Sequence, residues 1–384
     1  MGQNSLGRPD VRPDAGTRRI GFACAWDSPP MRTWSHTPWN LRQALRERAS
    51  VVDLGLTWSG PTRAALKALG AYRHDGRWAT AWKHHPLTVA AGERRLRSHS
   101  RTSAADVVLE IGDLARFDQP FLLYQDLSFD MVIERLVDGT GSGARMPGLS
   151  ESRIRRLADR QRLIYDRCAA VLTMSQWTAD HLVRVTGVPA DRVHVVPPGA
   201  NALPDGPVRA DRPRPRRRLL FVGKDFQGKA GDVVVEALAV LRREVDPAFR
   251  LTIAGPAAYQ GEVPPGVRFL GRLPLEEVGS LYAEHDLFVM PSRFEAFGIA
   301  FVEALAHGIP CIARHDCAMP ELVRSGANGG LVESDDPIEL AAKIMSVIND
   351  DAIYANTERE SAEVIARYQW SRAADDVVRI IGAL

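Results

Sequence analysis

Apolar residues in this chain fall in short runs separated by amphipathic stretches. After its first residue RIGFACA (19–25) is apolar throughout and predicts a buried strand, WNLRQALRER (39–48) predicts an amphipathic helix, and SVVDLGL (50–56) returns as a second strand. DVVLEIG (106–112), FLLYQD (121–126), AAVLTMS (169–175) and VHVVPPG (193–199) continue the series, each beside a helical stretch. Runs of Val, Leu and Ile that do not alternate with polar residues suit strands covered on both faces, so the pattern predicts a parallel sheet between helical layers.

The pattern breaks at NALPDGPVRADRPRPRRR (201–218), where four prolines and no apolar period predict a linker. A second α/β series follows: strands LLFVG (219–223), RLTIAG (250–255), VRFLG (267–271), LFVMPS (287–292) and PCIAR (310–314), with helices 232–245, 275–285, 299–308 and 338–350. The predicted fold class is α/β, with two Rossmann-like, doubly wound domains at 18–200 and 219–365 facing a central cleft. Such sheets bind ligands outside the carboxyl ends of their strands. Residues 1–17 are polar and aperiodic and are expected to form a flexible tail.

Composition narrows the classes. With 384 residues, 45% of them hydrophobic, the chain is long enough for two cores. Its net charge of +2, from 49 basic and 47 acidic residues, supplies no global field for nucleic acid. No apolar run reaches the length of a membrane span, and MGQNSLGRPDVRPDAGTRR lacks the apolar centre of a signal peptide, so a cytoplasmic location is expected. Cys24, Cys168, Cys311 and Cys317 form no C-x-x-C pair and read as reduced core thiols.

Two segments carry candidate chemistry. GKDFQGKA (223–230) lies between a strand and a helix, with glycines that admit backbone N–H groups and two of the chain's five lysines, Lys224 and Lys229. These features face a phosphate well. As a P-loop the segment lacks its metal-binding hydroxyl, because Ala230 stands where Ser or Thr is needed; a solvated strand–helix turn is the plainer alternative. In PSRFEAFGIAFVEALAHGIPCI (291–312), Glu295 sits in a loop and Glu303 eight residues later in an apolar helix, with Phe297, Gly298 and Ile299 at the helix start. Carboxylates accept from sugar and ribose hydroxyls, and a helix N-terminus favours phosphate. A surface acid and an amphipathic-helix acid would be the structural alternative.

Residues 219–325 resemble the nucleotide-sugar half of the retaining GT-B glycosyltransferases of the family 4 type. The resemblance rests on the E-x7-E pair Glu295 and Glu303, on FVGKDFQGKAGD, RLTIAG and FLGRL (269–273), and on the order of DLFVMPSRFEAFGIAFVEALAHGIPCI. VLTMSQWTADHLVRVTGVPADRVHVVPPGAN (171–201) resembles the end of that family's first domain, and WSHTPWNLRQALRER (34–48) its first helix. The resemblance implies a donor site in which Lys224 and Lys229, beside Gly223, stabilise the departing diphosphate. Glu295 with Phe297, Gly298 and Ile299 would hold sugar and phosphate, Glu303 the ribose, and the backbone at Arg272 and Leu273 the base. It also implies an acceptor side at His36, Thr37 and Asp126, and a last helix, 366–384, crossing back to the first domain.

The first half departs from the family. SPPMRTWSHTP replaces its glycine-rich loop, with His36 in a usual glycine place, and Gln125 stands where a histidine often precedes the aspartate. His36 reads as a general base or as a packing or acceptor-binding residue. Trp26, Trp34, Trp39, Trp58, Trp78 and Trp82 crowd the first hundred residues, as core or as a stacking platform for an acceptor. The basic runs 92–101 and 152–162 read as solvated helix faces, with peripheral contact to a membrane's inner face or an anionic acceptor as the alternative. GTGSGA (139–144) fits a dinucleotide fingerprint in the wrong context, after a helical stretch.

The expected activity is transfer of a sugar from a nucleoside diphosphate sugar to a glycan, lipid-linked or small-molecule acceptor, with retention. No cofactor and no metal are expected, and the chain contains no D-x-D triplet. The alternatives are a P-loop-like nucleotide triphosphatase and a non-catalytic nucleotide-sugar-binding module.

Overall fold

The computed structural model describes residues 18–74, 77–137, 146, 148–204, 206, 208 and 212–384. The predicted tail 1–17, the GTGSGA run and part of the 201–218 linker lie outside these residues.

Two six-stranded parallel sheets form the frame. The first contains β1 (Ile20–Ala23), β2 (Val51–Asp53), β3 (Val107–Ile111), β4 (Phe121–Gln125), β5 (Ala170–Thr173) and β6 (Val193–Val195), in the order β2-β1-β3-β4-β5-β6. The second contains β7 (Arg218–Val222), β8 (Arg250–Ala254), β9 (Val267–Gly271), β10 (Leu287–Val289), β11 (Cys311–Arg314) and β12 (Gly329–Val332), in the order β9-β8-β7-β10-β11-β12. β1, β3, β4, β5 and β10 are buried at every position, as strands covered on both faces must be. Strand order reverses between β1 and β3 in one sheet and between β7 and β10 in the other. The crevices at those two switch points open at the carboxyl ends, so the loops after these strands are placed to build a site.

The helices fill the outer layers. α1 (Thr37–Arg46) starts two residues before its predicted span, with Pro38 pre-setting the first turn. The last helix, α2 (Trp370–Ala383), packs on α1 and buries Ala373, Ala374, Val377, Ile380 and Ile381. The chain's end therefore lies on the first domain. The basic run 92–101 belongs to the helix Pro86–Thr102, whose Thr88, Gly92, Leu96 and Ser100 face inward at four-residue spacing while the arginines face out. No helix of the described residues is long and apolar enough to cross a membrane.

Three features depart from the sequence reading. A short antiparallel hairpin, Ala71–His74 with Arg77–Thr80, forms a two-stranded sheet of its own and was not foreseen. The linker is not uniformly solvated: Arg212 and Arg216 are buried, Arg212 on the carbonyl of His285 and Arg216 stacked 3.6 Å over the Tyr354 ring. The two domains are also joined across their faces. Glu321 accepts from the backbone N–H groups of Gln176 (2.9 Å) and Trp177 (2.6 Å), and Arg135 pairs with Asp316.

Candidate functional site

The loop after β7 turns sharply because the Asp225 carboxylate accepts from the Gly228 N–H at 3.0 Å. That turn directs Lys229 to the neighbouring loop of the same domain, where its ammonium donates to Glu295 at 2.6 Å and to the Phe294 carbonyl at 3.2 Å. Ala230 follows in the left-handed region, φ 57°, and is fully buried under the helix Gly231–Glu244. The position that would carry a P-loop hydroxyl thus faces the core.

The loop after β10 brings in the second cluster. Gly298 (φ 99°) caps the helix Ile299–Ala306, and a Cβ there would lie 2.7 Å from the Phe301 ring, so only glycine closes this turn. The first-turn N–H groups of that helix have no partner within it and carry the positive end of its dipole. One turn on, Glu303 is buried. Its Oε1 accepts from the backbone N–H groups of Asn201 (3.0 Å) and Ala202 (3.1 Å), and Tyr282 donates to Oε2 at 3.1 Å. Burial pushes its carboxyl above the usual carboxylate range against the pull of these donors.

The first domain supplies the opposite wall. Asp126 follows β4, and its carboxyl is pushed up to about 6, by burial first and by the charge of Glu295 next, with Lys229 and a hydrogen bond from Trp34 opposing. Trp34, Ser35 and His36 run consecutively through the left-handed region, at φ 39°, 53° and 68°. The run contains no glycine, in line with the departure of SPPMRTWSHTP from a glycine-rich loop noted in the sequence. Burial and the nearby Lys224 ammonium hold the His36 imidazole below its ordinary pKa, and hence neutral near pH 7.

These groups enclose one cavity of about 390 Å³ between the domains. Gly223, Lys224, Lys229, Leu273, Glu295, Phe297, Gly298, Ile299, Glu303, His36, Thr37 and Asp126 all line it. Arg272 does not; its side chain is exposed outside the lining. Sequence reasoning named Trp34 only as core or as a stacking platform and missed Asn201 and Tyr282, for which the one signal available was that a glutamate in the apolar stretch AFVEALA must find partners.

A second cavity of similar size, about 390 Å³, opens into the first domain and shares Trp34 and Asp126 with the first. Trp26, Trp34, Trp58 and Trp82 line it, whereas Trp39 packs edge-on against Trp26 at 6.5 Å and Trp78 is exposed. Gln125 also lines it. Its amide donates to the Tyr165 hydroxyl at 2.7 Å, and its Oε1 has no partner. The four cysteines are all buried and unbridged.

Residues 208–365 match the family described as Glycosyl transferases group 1, and residues 136–202 match Glycosyltransferase Family 4. Among similar proteins, the D-inositol 3-phosphate glycosyltransferase 1 of Catenulispora acidiphila is 29% identical over 63% of this chain and 61% of its own length. The D-inositol 3-phosphate glycosyltransferase of Xylanimonas cellulosilytica is 31% identical over 53% of this chain and 54% of its own. The matched region thus spans about three-fifths or less of these relatives. Among solved structures, a sucrose-phosphate synthase from Thermosynechococcus elongatus superposes with a TM-score of 0.72 at 17% identity, covering 95% of this chain and 98% of that one. Anabaena HepE, solved with UDP and glucose, superposes with a TM-score of 0.62 at 15% identity over 96% and 100%. The fold is that of the GT-B glycosyltransferase structures.

Proposed function

We propose that this chain, which belongs to the glycosyl transferases group 1 family through residues 208–365, moves a sugar from a nucleoside diphosphate sugar to an acceptor hydroxyl with retention of configuration. The observation that carries the reading is the Lys229–Glu295 pair at 2.6 Å, set in the interdomain cavity beside the N-terminus of the helix Ile299–Ala306.

In the proposed step the bond between the sugar's anomeric carbon and the diphosphate oxygen breaks, and its electron pair leaves with the diphosphate. The acceptor oxygen bonds to the same carbon from the same face, and its proton passes to the departing diphosphate oxygen. What such a reaction needs from the protein is preorganised positive potential where charge develops. Lys224, Lys229 and the N–H groups at Gly298 and Ile299 line the cavity and would provide it. These groups are the chain's own, so the reading includes turnover without added metal.

Glu295 would accept from the donor sugar's hydroxyls once Lys229 turns to the phosphate. Glu303 would accept from the ribose, since a carboxylate offers about four acceptor positions and three are used here. Phe297 would close the sugar pocket and Leu273 with the adjoining backbone would meet the base. His36, Thr37 and Asp126 would face the acceptor, with Asp126 accepting from its hydroxyl. Of the other readings, the P-loop triphosphatase is disfavoured by Ala230, which is turned into the core.

The test is thermal unfolding against UDP, GDP, ADP, dTDP and CDP in EDTA, with Mg-ATP alongside, followed by turnover of the matching sugar nucleotides. A ligand at about 100 times its dissociation constant stabilises by roughly 2.7 kcal/mol. A rise with one metal-free diphosphate is expected. A rise with Mg-ATP alone would move the assignment to the triphosphatase, and binding without donor turnover to a silent module.

A further inference from the structure

The cavity on the first-domain side of Trp34 and Asp126 is built for a narrower class of acceptor than the reaction requires. We infer that it takes an uncharged, largely apolar ring compound whose hydroxyl reaches Asp126. The inference rests on the glycosyl-transfer reading above and deepens it by naming the substrate class.

The walls come first. Trp58 and Trp82 are only partly buried and line the cavity together with Leu56, Leu96, Leu127 and Phe129. Flat indole faces accept either a sugar ring or an aromatic one, but the branched aliphatic groups and Phe129 around them reward burial of apolar surface and offer nothing to a molecule that carries a hydroxyl on every carbon.

Charge comes next. Among the described residues three basic side chains border the cavity, and none is free to neutralise an anion. The Lys83 ammonium is paired with Asp27 at 2.8 Å. Arg160 donates to the carbonyls of Asp113 and Leu114, both at 2.7 Å, and to Glu93 at 3.0 Å. His84 is held below its ordinary pKa by burial, with the charges of Lys83 and Arg153 adding to the effect. Two carboxylates, Asp113 and Asp126, also border the space. A phosphate placed here would sit beside acids and would have to pull Arg160, largely shielded from water, away from two carbonyls and Glu93, whereas the Lys83–Asp27 pair is half-exposed and adds less to that cost.

The open polar groups are neutral. Gln125 is 3% exposed and Thr88 5% exposed; both line the cavity, and Gln125 Oε1 and Thr88 Oγ1 have no partner. Buried polar atoms are seldom left so, and a ligand hydroxyl or carbonyl is the partner that an amide and an alcohol can serve. The position of Asp126, in the lining of both cavities, completes the argument. A ring seated among the tryptophans leaves its hydroxyl at the one carboxylate that borders both cavities, facing the donor sugar.

The experiment is calorimetric titration of the full chain with 2-naphthol and, separately, with D-inositol 3-phosphate. Two variants accompany it. Val89→Phe fills the cavity from its helical wall, and Gln125→Leu removes the open amide. The melting shift with nucleoside diphosphate is measured on every protein. We expect 2-naphthol to bind one to one, D-inositol 3-phosphate not to bind, and each variant to weaken naphthol at least tenfold with the diphosphate shift intact. Thr88→Val, nearly the same shape without the acceptor, should weaken naphthol in the same direction if Gln125→Leu fails to fold. A diphosphate shift with no naphthol binding, or naphthol binding that Val89→Phe leaves unchanged, overturns this inference alone. Binding of D-inositol 3-phosphate that naphthol displaces overturns it in favour of an anionic acceptor. Absence of any diphosphate shift removes the reading beneath it, and the acceptor assignment with it.

Discussion

Lys229 and Glu295 are each other's counter-ion, at 2.6 Å, on the floor of the interdomain cleft. The cation proposed for the leaving diphosphate and the carboxylate proposed for the sugar are therefore joined until a donor separates them. Lys229→Met keeps the aliphatic stem and removes the charge. A charge-assisted hydrogen bond is worth about 1.5–3 kcal/mol, so diphosphate binding should weaken on the order of 10–100-fold. Glu295→Gln should do the opposite to the bare diphosphate, leaving its affinity unchanged or raising it, because the competing carboxylate is gone. It should weaken only the sugar-bearing donor. Calorimetry with diphosphate and sugar nucleotide on both variants separates the roles, and equal loss of bare diphosphate in the two would refute the division.

Asp126 makes the site sensitive to pH. Its carboxyl titrates near pH 6 in the fold, against about 3.9 in an unfolded chain. A folded value raised above the unfolded one means that holding the group ionised costs stability. That cost is absent below about pH 4, where both states are protonated, grows between pH 4 and 6, and is full above pH 6. Asp126→Asn should therefore be the more stable protein at pH 8, by on the order of 1–3 kcal/mol, with the difference gone at pH 4. Sugar transfer by the unaltered chain should fall as pH drops through 6, and the Asn variant should transfer poorly at every pH. Melting curves at pH 4 and 8 beside a pH–rate profile check both statements.

The second domain was legible in the sequence because proximity in space and along the chain coincide there. Glu295 and Glu303 flank one helix start, and Lys229 is seven residues beyond the end of β7, so spacing alone places them in one crevice. The first domain was not legible in this way. Trp34 meets Asp126 only through the sheet order, Glu303 meets Tyr282 through the packing of two helices within the second domain and meets the backbone at 201–202 from the chain between the domains, and neither pairing has a local signature. The left-handed run Trp34–His36 contains no glycine, so the usual marker of such a turn was missing. For the hairpin, Asp75-Gly76 was the available signal, but its four-residue strands are too short to show a period.

Glu303 ties the nucleotide side of the cavity to the linker. Its carboxylate receives the N–H groups of Asn201 and Ala202 and the hydroxyl of Tyr282. Glu303→Ala should thus lose nucleotide binding and also stability, by about 1–3 kcal/mol, since three donors are left without an acceptor. Glu303→Gln separates the two effects. Its amide oxygen can still accept from both backbone groups, so the melting temperature should stay near that of the unaltered chain. Its NH₂ end cannot accept from a ribose hydroxyl, so diphosphate affinity should still fall roughly tenfold. If the Gln variant binds diphosphates normally, Glu303 is a structural clamp and does not touch the ribose.

Ser35 occupies the left-handed region at φ 53° with an exposed side chain, between two residues in the same region. For a residue with a Cβ this conformation costs roughly 1–2 kcal/mol, and glycine avoids it at an entropic cost of about 0.5–1 kcal/mol. The tie from this residue to the linker runs from the Asn201 amide to the Ser35 carbonyl at 3.1 Å, and substitution keeps that carbonyl. Ser35→Gly should therefore stabilise the chain by about 0.5–1 kcal/mol, and Ser35→Val, β-branched at positive φ, should destabilise it by more than that. Chemical denaturation of the three proteins gives the order directly. Gly above Ser above Val supports a turn held under strain by its surroundings; identical midpoints would mean that the backbone here relaxes freely, and that Trp34 is not held against Asp126 by the turn.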